Sequence, residues 1–111
     1  MGTQYVAIVG ETIVGAMRVS LIGQVGVISR IAVRKEFRNR RIGTKLVDYG
    51  ENLLVHMNAQ RIEIEIYGAA DNQITFYERG GYVETSRIKR LGEEIVLMQK
   101  DLTESSVEEE D

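Results

Sequence analysis

The fold of this chain is decided by residues 33–46, which read VRKEFRNRRIGTKL. This segment joins a stretch rich in β-branched residues to a stretch with helical periodicity. From residue 42 to residue 58, apolar residues recur at steps of four and three: Ile42, Leu46, Tyr49, Leu53 and Met57. This spacing predicts an amphipathic helix with these side chains on its apolar face. The polar residues 34–41 are predicted to form the loop before it.

The sequence on both sides of this segment predicts a sheet. Three β-branched stretches separated by glycine-containing turns are predicted to be hairpin-linked strands: residues 5–9, 13–22 and 25–33. The remaining predicted elements are a strand at 61–67, a helix from Asp71 or Asn72 to the Gly80-Gly81 pair, and strands at 82–91 and 94–100. The predicted fold class is α+β: a mixed, mostly antiparallel sheet in the order βββ-α-β-α-ββ. The strand–helix–strand segment makes its one parallel crossover.

Composition limits the possible classes of protein. The chain has 111 residues, of which 43% are hydrophobic, so we expect a single domain over residues 1–102. It has no cysteine, which excludes disulfides and thiolate chemistry, and one histidine, so no metal site is expected. No apolar run approaches the roughly 20 residues that span a bilayer, and no signal peptide is evident. A cytoplasmic protein without membrane contact is therefore predicted.

The net charge of −3 conceals two segments of opposite sign. Residues 101–111 carry six acidic side chains and no basic one, and residues 103–111 are predicted to be a disordered acidic tail. Residues 30–45 carry seven basic side chains and one acidic one. The predicted domain is therefore basic.

The basic segment lies where a ligand site is expected. The carboxyl end of the strand before a crossover helix faces the N-terminus of that helix, whose free N–H groups and dipole favour anions. Gly43 in the first helical turn lowers helix propensity and allows close approach. These observations predict a phosphate-bearing ligand. A solvated basic loop and contact with nucleic-acid phosphates are the alternatives.

Four motifs in this order resemble the GNAT superfamily of acyl-CoA-dependent N-acyltransferases. They are Ile31-Ala32-Val33 followed by Glu36-Phe37-Arg38, the loop at residues 38–43, Phe76-Tyr77-Glu78-Arg79-Gly80-Gly81-Tyr82, and the last strand ending in Lys100-Asp101-Leu102. The resemblance covers residues 4–102. It implies transfer of an acetyl group from acetyl-CoA to a primary amine by direct attack in a ternary complex.

The resemblance also implies the site residues. Tyr77 would be the general acid that protonates the leaving thiolate. The residues implied to bind acetyl-CoA are Ile31, Ala32, Val33, Arg38, Asn39, Arg40, Arg41, Ile42, Gly43, Thr44 and Asn72. The strand before the loop is expected to part from the strand after the helix, so that pantetheine lies along residues 31–33.

The chain departs from the family pattern at several positions. Arg41 stands where the loop has its first glycine, and Asn39 where another glycine is common. Arginine is excluded from some glycine conformations, but it can also donate a charge-assisted hydrogen bond to phosphate, so both consequences stay open. Asn72 is two residues later than the family's asparagine. Almost nothing precedes Tyr5, whereas the family begins with a strand and two helices, so an open, minimal form is expected.

The general base is left unassigned. Many relatives have an acidic residue at the position of Ser29, and Glu63 and Glu65 share one face of the strand at residues 61–67 and could reach the cleft. The favoured interpretation of these two glutamates is that they are solvated strand carboxylates. His56 is expected at the surface near the end of the first helix, and Phe76 is expected in the core.

Two other functions remain open. One is a non-catalytic, CoA-binding regulatory module, and the other, less favoured, is a nucleic-acid-binding protein that uses the basic loop. The acceptor is an amine on a small molecule or a peptide. The exposed edge of the last hairpin suggests a homodimer.

Overall fold

The computed structural model describes residues 2–68 and 71–102. Its elements are β1 (Gly2–Val9), β2 (Thr12–Ile22), β3 (Val25–Val33), a short 3-10 helix (Lys35–Phe37), α1 (Ile42–His56), β4 (Arg61–Tyr67), α2 (Asp71–Arg79), β5 (Val83–Arg90) and β6 (Glu93–Asp101). This order confirms the predicted βββ-α-β-α-ββ arrangement. The predicted acidic tail lies outside the described residues.

The six strands form one mixed sheet in the order β1-β2-β3-β4-β6-β5. All neighbouring strands are antiparallel except β3 and β4, which run parallel. The predicted α+β class with a single parallel crossover is therefore confirmed. The crossover is α1, because parallel neighbours cannot be joined by a tight turn.

The main core lies between the sheet and the two helices. On β4, Ile62, Ile64 and Ile66 are buried against this core, and the alternate residues point to the other face. Both described helices pack on the core side of the sheet. Neither helix in the described ranges is long and apolar enough to cross a membrane.

The buried face of α1 is rotated from the predicted stripe toward the apolar residues that flank it. Ile42 and Leu46 are buried as predicted, together with the flanking Val47 and Leu54 and with Gly50, whereas Tyr49 is 53% exposed and Met57 is also exposed. The reason is a glycine. A Cβ on Gly50 would lie 3.0 Å from Ile28 Cδ1, so the helix approaches the sheet most closely at a residue that apolar periodicity does not count.

A polar cluster ties α1 to the start of β5 and to β6. The Tyr82 hydroxyl donates a 2.6 Å hydrogen bond to Glu51 Oε2, and Lys100 Nζ lies 3.4 Å from the same oxygen. Tyr82 is buried, and burial together with the Glu51 carboxylate raises its pKa well above the usual value. Burial also raises the pKa of Tyr77 to about 12. Both tyrosines therefore favour their neutral form in the folded protein.

This cluster predicts a loss of stability at alkaline pH. Unfolded tyrosine ionises at about pH 10, so the stabilisation is complete below that pH and is lost as pH rises above it. Tyr82→Phe should make this alkaline loss shallower and should lower the free energy of unfolding at pH 7 by about 1–3 kcal/mol, because Glu51 loses a hydrogen bond. Denaturant unfolding from pH 7 to pH 11 measures both effects. Tyr49→Phe, at an exposed tyrosine, is the control, and an unchanged alkaline slope in Tyr82→Phe would contradict the assignment.

Candidate active site

The parallel strands part halfway along their length. β3 and β4 pair from Val25–Arg61 to Ile28–Ile64 and no further within the described residues. Next to this point, β3 carries an extra residue relative to β2, and Arg30 adopts a left-handed conformation with φ 56°. Such a bulge bends and twists a strand. Residues 31–33 therefore have no strand partner on the β4 side, as the resemblance predicted.

Two adjoining cavities lie in the gap between the strands. The larger, about 820 Å³, lies on the side of the loop and the α1 N-terminus, and the smaller, about 450 Å³, lies toward the end of β4. The two cavities share four lining residues: Ile31, Ala32, Gln73 and Tyr77. The site is thus one cleft with two lobes, and Tyr77 lies at their junction.

Nearly all of the residues implied by the resemblance line the larger lobe. They are Ile31, Ala32, Val33, Arg38, Asn39, Arg41, Ile42, Gly43, Thr44 and Asn72, together with Tyr77. Arg40 lines neither lobe, and its guanidinium carbon lies 5.0 Å from the centre of the Phe37 ring, over its face. Phe37 itself lines the cleft.

The loop reaches the helix through two left-handed residues. Asn39 has φ 65° and Arg41 has φ 64°, so the residue at the glycine position adopts a conformation that glycine favours. For an L-residue this conformation costs roughly 1–2 kcal/mol. Arg38 Nε donates a 3.2 Å hydrogen bond to the carbonyl oxygen of Val33 and ties the loop to the end of β3. The arginine substitution is therefore compatible with a glycine-type turn.

This turn leaves the N-terminus of α1 facing the larger lobe. The amide N–H of Lys45 bonds to the carbonyl of Arg41, which begins the helical ladder. The N–H groups of residues 42–44 come before this first bond, so they have no partner within the helix. Arg41 makes no side-chain cap among the described residues. A Cβ on Gly43 would meet only Val33 Cγ2, at 3.9 Å. Packing within the protein therefore does not require glycine at this position. A ligand that approached the helix closely would require it, because a side chain would occupy the same space.

The smaller lobe has carboxylates on its wall. Glu65 and Glu93 both line it, with Arg30 and Tyr67. The Tyr67 hydroxyl lies 3.4 Å from Glu65 Oε1, and Arg90 donates a 3.2 Å hydrogen bond to that hydroxyl. Arg90 Nη1 is 4.0 Å from Glu65 Oε1. Glu65 is therefore held at the cleft by two neighbours, while Glu63 on the same strand lines neither lobe.

Tyr77 packs against two aromatic neighbours. It is buried on α2, with the Phe76 ring centre 4.9 Å away and the Tyr82 ring centre 6.1 Å away, both edge-on. With its pKa raised to about 12 by burial, Tyr77 keeps its proton throughout the neutral range. A buried, protonated hydroxyl group at the junction of two lobes suits proton donation.

A family comparison supplies an independent finding. The model of the acetyltransferase (GNAT) family matches residues 2–82. The chain belongs to the GNAT acetyltransferase family. Acetyl transfer is therefore its general class of reaction, and the cleft between β3 and β4 is its candidate active site. A comparison with curated protein sequences found no match.

Solved GNAT structures share the fold of this chain. The IAA acetyltransferase from Bacillus cereus ATCC 14579 has a TM-score of 0.78 at 19% identity, over 91% of this chain and 78% of its own. Ard1 from Thermoplasma volcanium has a TM-score of 0.78 at 24% identity, over 87% and 68%. A GNAT family acetyltransferase from Elizabethkingia anophelis with acetyl-CoA bound has a TM-score of 0.77 at 20% identity, over 91% and 76%.

Some residues of this GNAT cleft were missed or misassigned from sequence. Phe76 was expected in the core but is 41% exposed and lines the larger lobe. Gln73 and Glu93 also line the cleft, and no motif marked them in the sequence. The only sequence signal was position: Gln73 is beside a predicted helix start, and Glu93 is in a predicted hairpin turn. His56 is exposed, and its Nδ1 lies 2.8 Å from the Asn52 carbonyl within α1. Residues 2–68 and 71–102 contain no cluster of three or more side chains suited to a metal ion.

The left-handed Arg41 gives a prediction about stability. Arg41→Gly should raise the free energy of unfolding by about 0.5–1 kcal/mol, because glycine adopts φ 64° without steric cost but has more freedom in the unfolded chain. Arg41→Ala should not stabilise, since alanine keeps the strain and removes only the charged side chain. Denaturant unfolding of both variants tests this, and equal effects of glycine and alanine would contradict it.

Proposed function

We propose that this chain is an N-acetyltransferase that transfers the acetyl group of acetyl-CoA to a primary amine, with residues 1–102 as its single domain. One observation carries the proposal: the parted strands, the N-terminus of α1 and Tyr77 all line one continuous cleft. The larger lobe takes the cofactor and the smaller lobe takes the amine, on a small molecule or a peptide.

The donor is bound mainly by backbone groups. The pyrophosphate lies at the N-terminus of α1, where N–H groups from Arg38 to Thr44 and the helix dipole favour negative charge. Arg38 and Arg41 line the same lobe and add positive charge. Pantetheine runs beside residues 31–33 and completes the sheet where β4 has turned away. Asn72 lies on the opposite wall, at the start of α2.

The reaction is a direct attack. The amine nitrogen bonds to the thioester carbonyl carbon, and a backbone N–H near Ile31 stabilises the oxyanion. Glu65, on the wall of the smaller lobe, takes the proton from the amine directly or through water. The carbon–sulfur bond then breaks, and the electron pair leaves with the CoA sulfur.

Tyr77 acts on the leaving sulfur as a hydrogen-bond donor in place of a full general acid. A tyrosine with a pKa of about 12 is a weaker acid than a thiol, since the thiol of cysteine has a pKa of about 8.5. Complete proton transfer from Tyr77 to the thiolate is therefore uphill. Tyr77 instead donates a hydrogen bond that strengthens as negative charge develops on sulfur, and it keeps its own proton, while the released thiolate exchanges protons with solvent.

Nucleic-acid binding by the basic loop has weaker support, because Phe37 is the only aromatic residue between Arg30 and Lys45 and its ring already lies under the Arg40 guanidinium. A non-catalytic CoA-binding module was the stronger alternative while no base was assigned. The position of Glu65 beside the cleft favours the enzyme.

Gly43 tests the cofactor lobe. Gly43→Ala should reduce CoA affinity at least tenfold, because the methyl group fills space beside the helix N-terminus, while stability is kept or rises by up to ~1 kcal/mol through helix propensity. Titration calorimetry with CoA and thermal unfolding measure the two effects. Gly50→Ala is the matched control with the opposite pattern: it meets Ile28 at 3.0 Å, so it should lower stability and leave CoA affinity unchanged.

Tyr77 and Glu65 test the chemistry. Tyr77→Phe and Glu65→Gln should each lower kcat by about 10²-fold or more, with CoA affinity within twofold of the parent protein. The Glu65→Gln loss should shrink at high pH, where the amine is already deprotonated in solution. Release of free thiol from acetyl-CoA with a panel of amines measures the rate.

Glu63→Gln is the matched control for this experiment, because Glu63 lies on the same strand and face but outside the cleft. Its rate should equal that of the parent. Binding of acetyl-CoA without turnover would favour the non-catalytic module, whereas turnover at the parent rate in Tyr77→Phe would contradict the role of Tyr77.

A further inference from the structure

The Tyr77 side chain is placed by packing, because its hydroxyl group has no hydrogen-bond partner among the described residues. Tyr77 is also the only buried residue of α2, and Ile74 is the only other residue of this helix that is even partly buried. A short helix with so little buried surface does not fix a side chain by itself. The position of Tyr77 in the cleft therefore depends on what holds the end of α2.

The turn after α2 links Tyr77 directly to Tyr82. The Tyr77 carbonyl accepts hydrogen bonds from the N–H groups of Gly80, at 3.0 Å, and of Tyr82, at 3.1 Å. Gly81 in this turn has φ 98°, and a Cβ at Gly81 would lie 3.4 Å from Lys100 Cε. The rings of Tyr77 and Tyr82 then meet edge-on, with centres 6.1 Å apart. Tyr82 thus contacts Tyr77 through both the main chain and the ring.

Tyr82 is in turn anchored to the helix that borders the cofactor lobe. Its side chain is 2% exposed, and its hydroxyl donates the 2.6 Å hydrogen bond to Glu51 Oε2 on α1. Lys100 Nζ lies 3.4 Å from the same oxygen and 5.5 Å from the centre of the Tyr82 ring. Hydrogen bonds to a charged acceptor are stronger than neutral ones. A continuous set of contacts therefore runs from α1 to Tyr77.

We propose that Tyr82 is a positioning residue for Tyr77: its hydrogen bond to Glu51 holds the end of α2 on α1 and so places the Tyr77 hydroxyl against the thioester sulfur. This role rests on the proposed function, because it concerns the atom that Tyr77 meets in the reaction. Tyr82 and Glu51 line neither lobe, so their effect on the rate passes through Tyr77. Binding of CoA is left to the N-terminus of α1 and to residues 31–33.

A difference between rate and affinity tests the proposal. Tyr82→Phe keeps the ring beside Tyr77 but removes the hydrogen bond, and Glu51→Leu removes the acceptor. Each should lower kcat about tenfold and leave the Kd for CoA within about twofold of the parent value, because a small displacement of a reacting group slows only the chemical step. The double variant should be no slower than either single variant, since both remove the same interaction. Thiol release and titration calorimetry with CoA measure these effects.

Two controls separate positioning from a general loss of stability. Glu51→Gln keeps a side-chain oxygen that accepts from Tyr82, so its kcat should stay close to that of the parent. Ile62→Val removes a methyl group from a fully buried side chain that lines neither lobe, so it should lower stability and leave kcat unchanged. A loss of kcat in Ile62→Val equal to that in Tyr82→Phe overturns the proposal. So does a Glu51→Gln variant as slow as Glu51→Leu.

Amide hydrogen exchange tests the anchor without any turnover. Exchange at residues 75–79 of α2 should be faster in Tyr82→Phe than in Ile62→Val, which is the reference for a loss of global stability. Equal exchange in these two variants overturns the proposal. Faster exchange in a protein that does not turn over acetyl-CoA supports the anchor and counts against the proposed function instead. Glu51→Asp, with a shorter acceptor, replaces any variant that fails to fold by circular dichroism, and it should lower kcat in the same direction.

Discussion

The parting of β3 from β4 is the constraint on which the rest of the structure depends. Backbone N–H and C=O groups in a sheet need partners, yet the pairing of these parallel strands stops at Ile28 and Ile64. The bulge at Arg30 turns β3 away and leaves room between the strands. Water or an extended ligand must then satisfy the exposed groups of residues 31–33. A sheet left incomplete in this way is a candidate binding site made from main chain.

The crossover helix brings its N-terminus to this gap. Because β3 and β4 are parallel, α1 has to return along the sheet, and its N-terminus lies beside the carboxyl end of β3. Close packing at Gly50 holds the helix near Ile28 and Met17. The left-handed turn at Asn39 and Arg41 then directs the first helical N–H groups toward the cleft. The geometry that joins two parallel strands thus also positions a positive helix end beside their gap.

The sequence predicted the features that depend on residues close together in the chain. It did not predict the features that depend on contacts between distant segments. The alternation in β4 and the loop before α1 were recognisable because their signals lie within one segment. The prediction that Tyr49 and Met57 lie on the buried face of α1 was wrong, since that face depends on the contact of Gly50 with another strand. The prediction that Phe76 lies in the core was wrong, because helical spacing does not show which side of α2 borders the cleft. The choice of Glu65 over Glu63 required knowing where β3 stops pairing.

The four residues shared by the two lobes define a narrow overlap between two otherwise separate sets of side chains. Changes at Glu93, Tyr67 or Arg30 alter the wall of one lobe without touching the helix N-terminus, and changes at Asn39 or Thr44 do the reverse. Under the proposed function, donor binding and acceptor choice are therefore encoded by nearly independent positions. A lineage built on this scaffold could exchange one partner for another while the shared residues, Tyr77 among them, stay as they are.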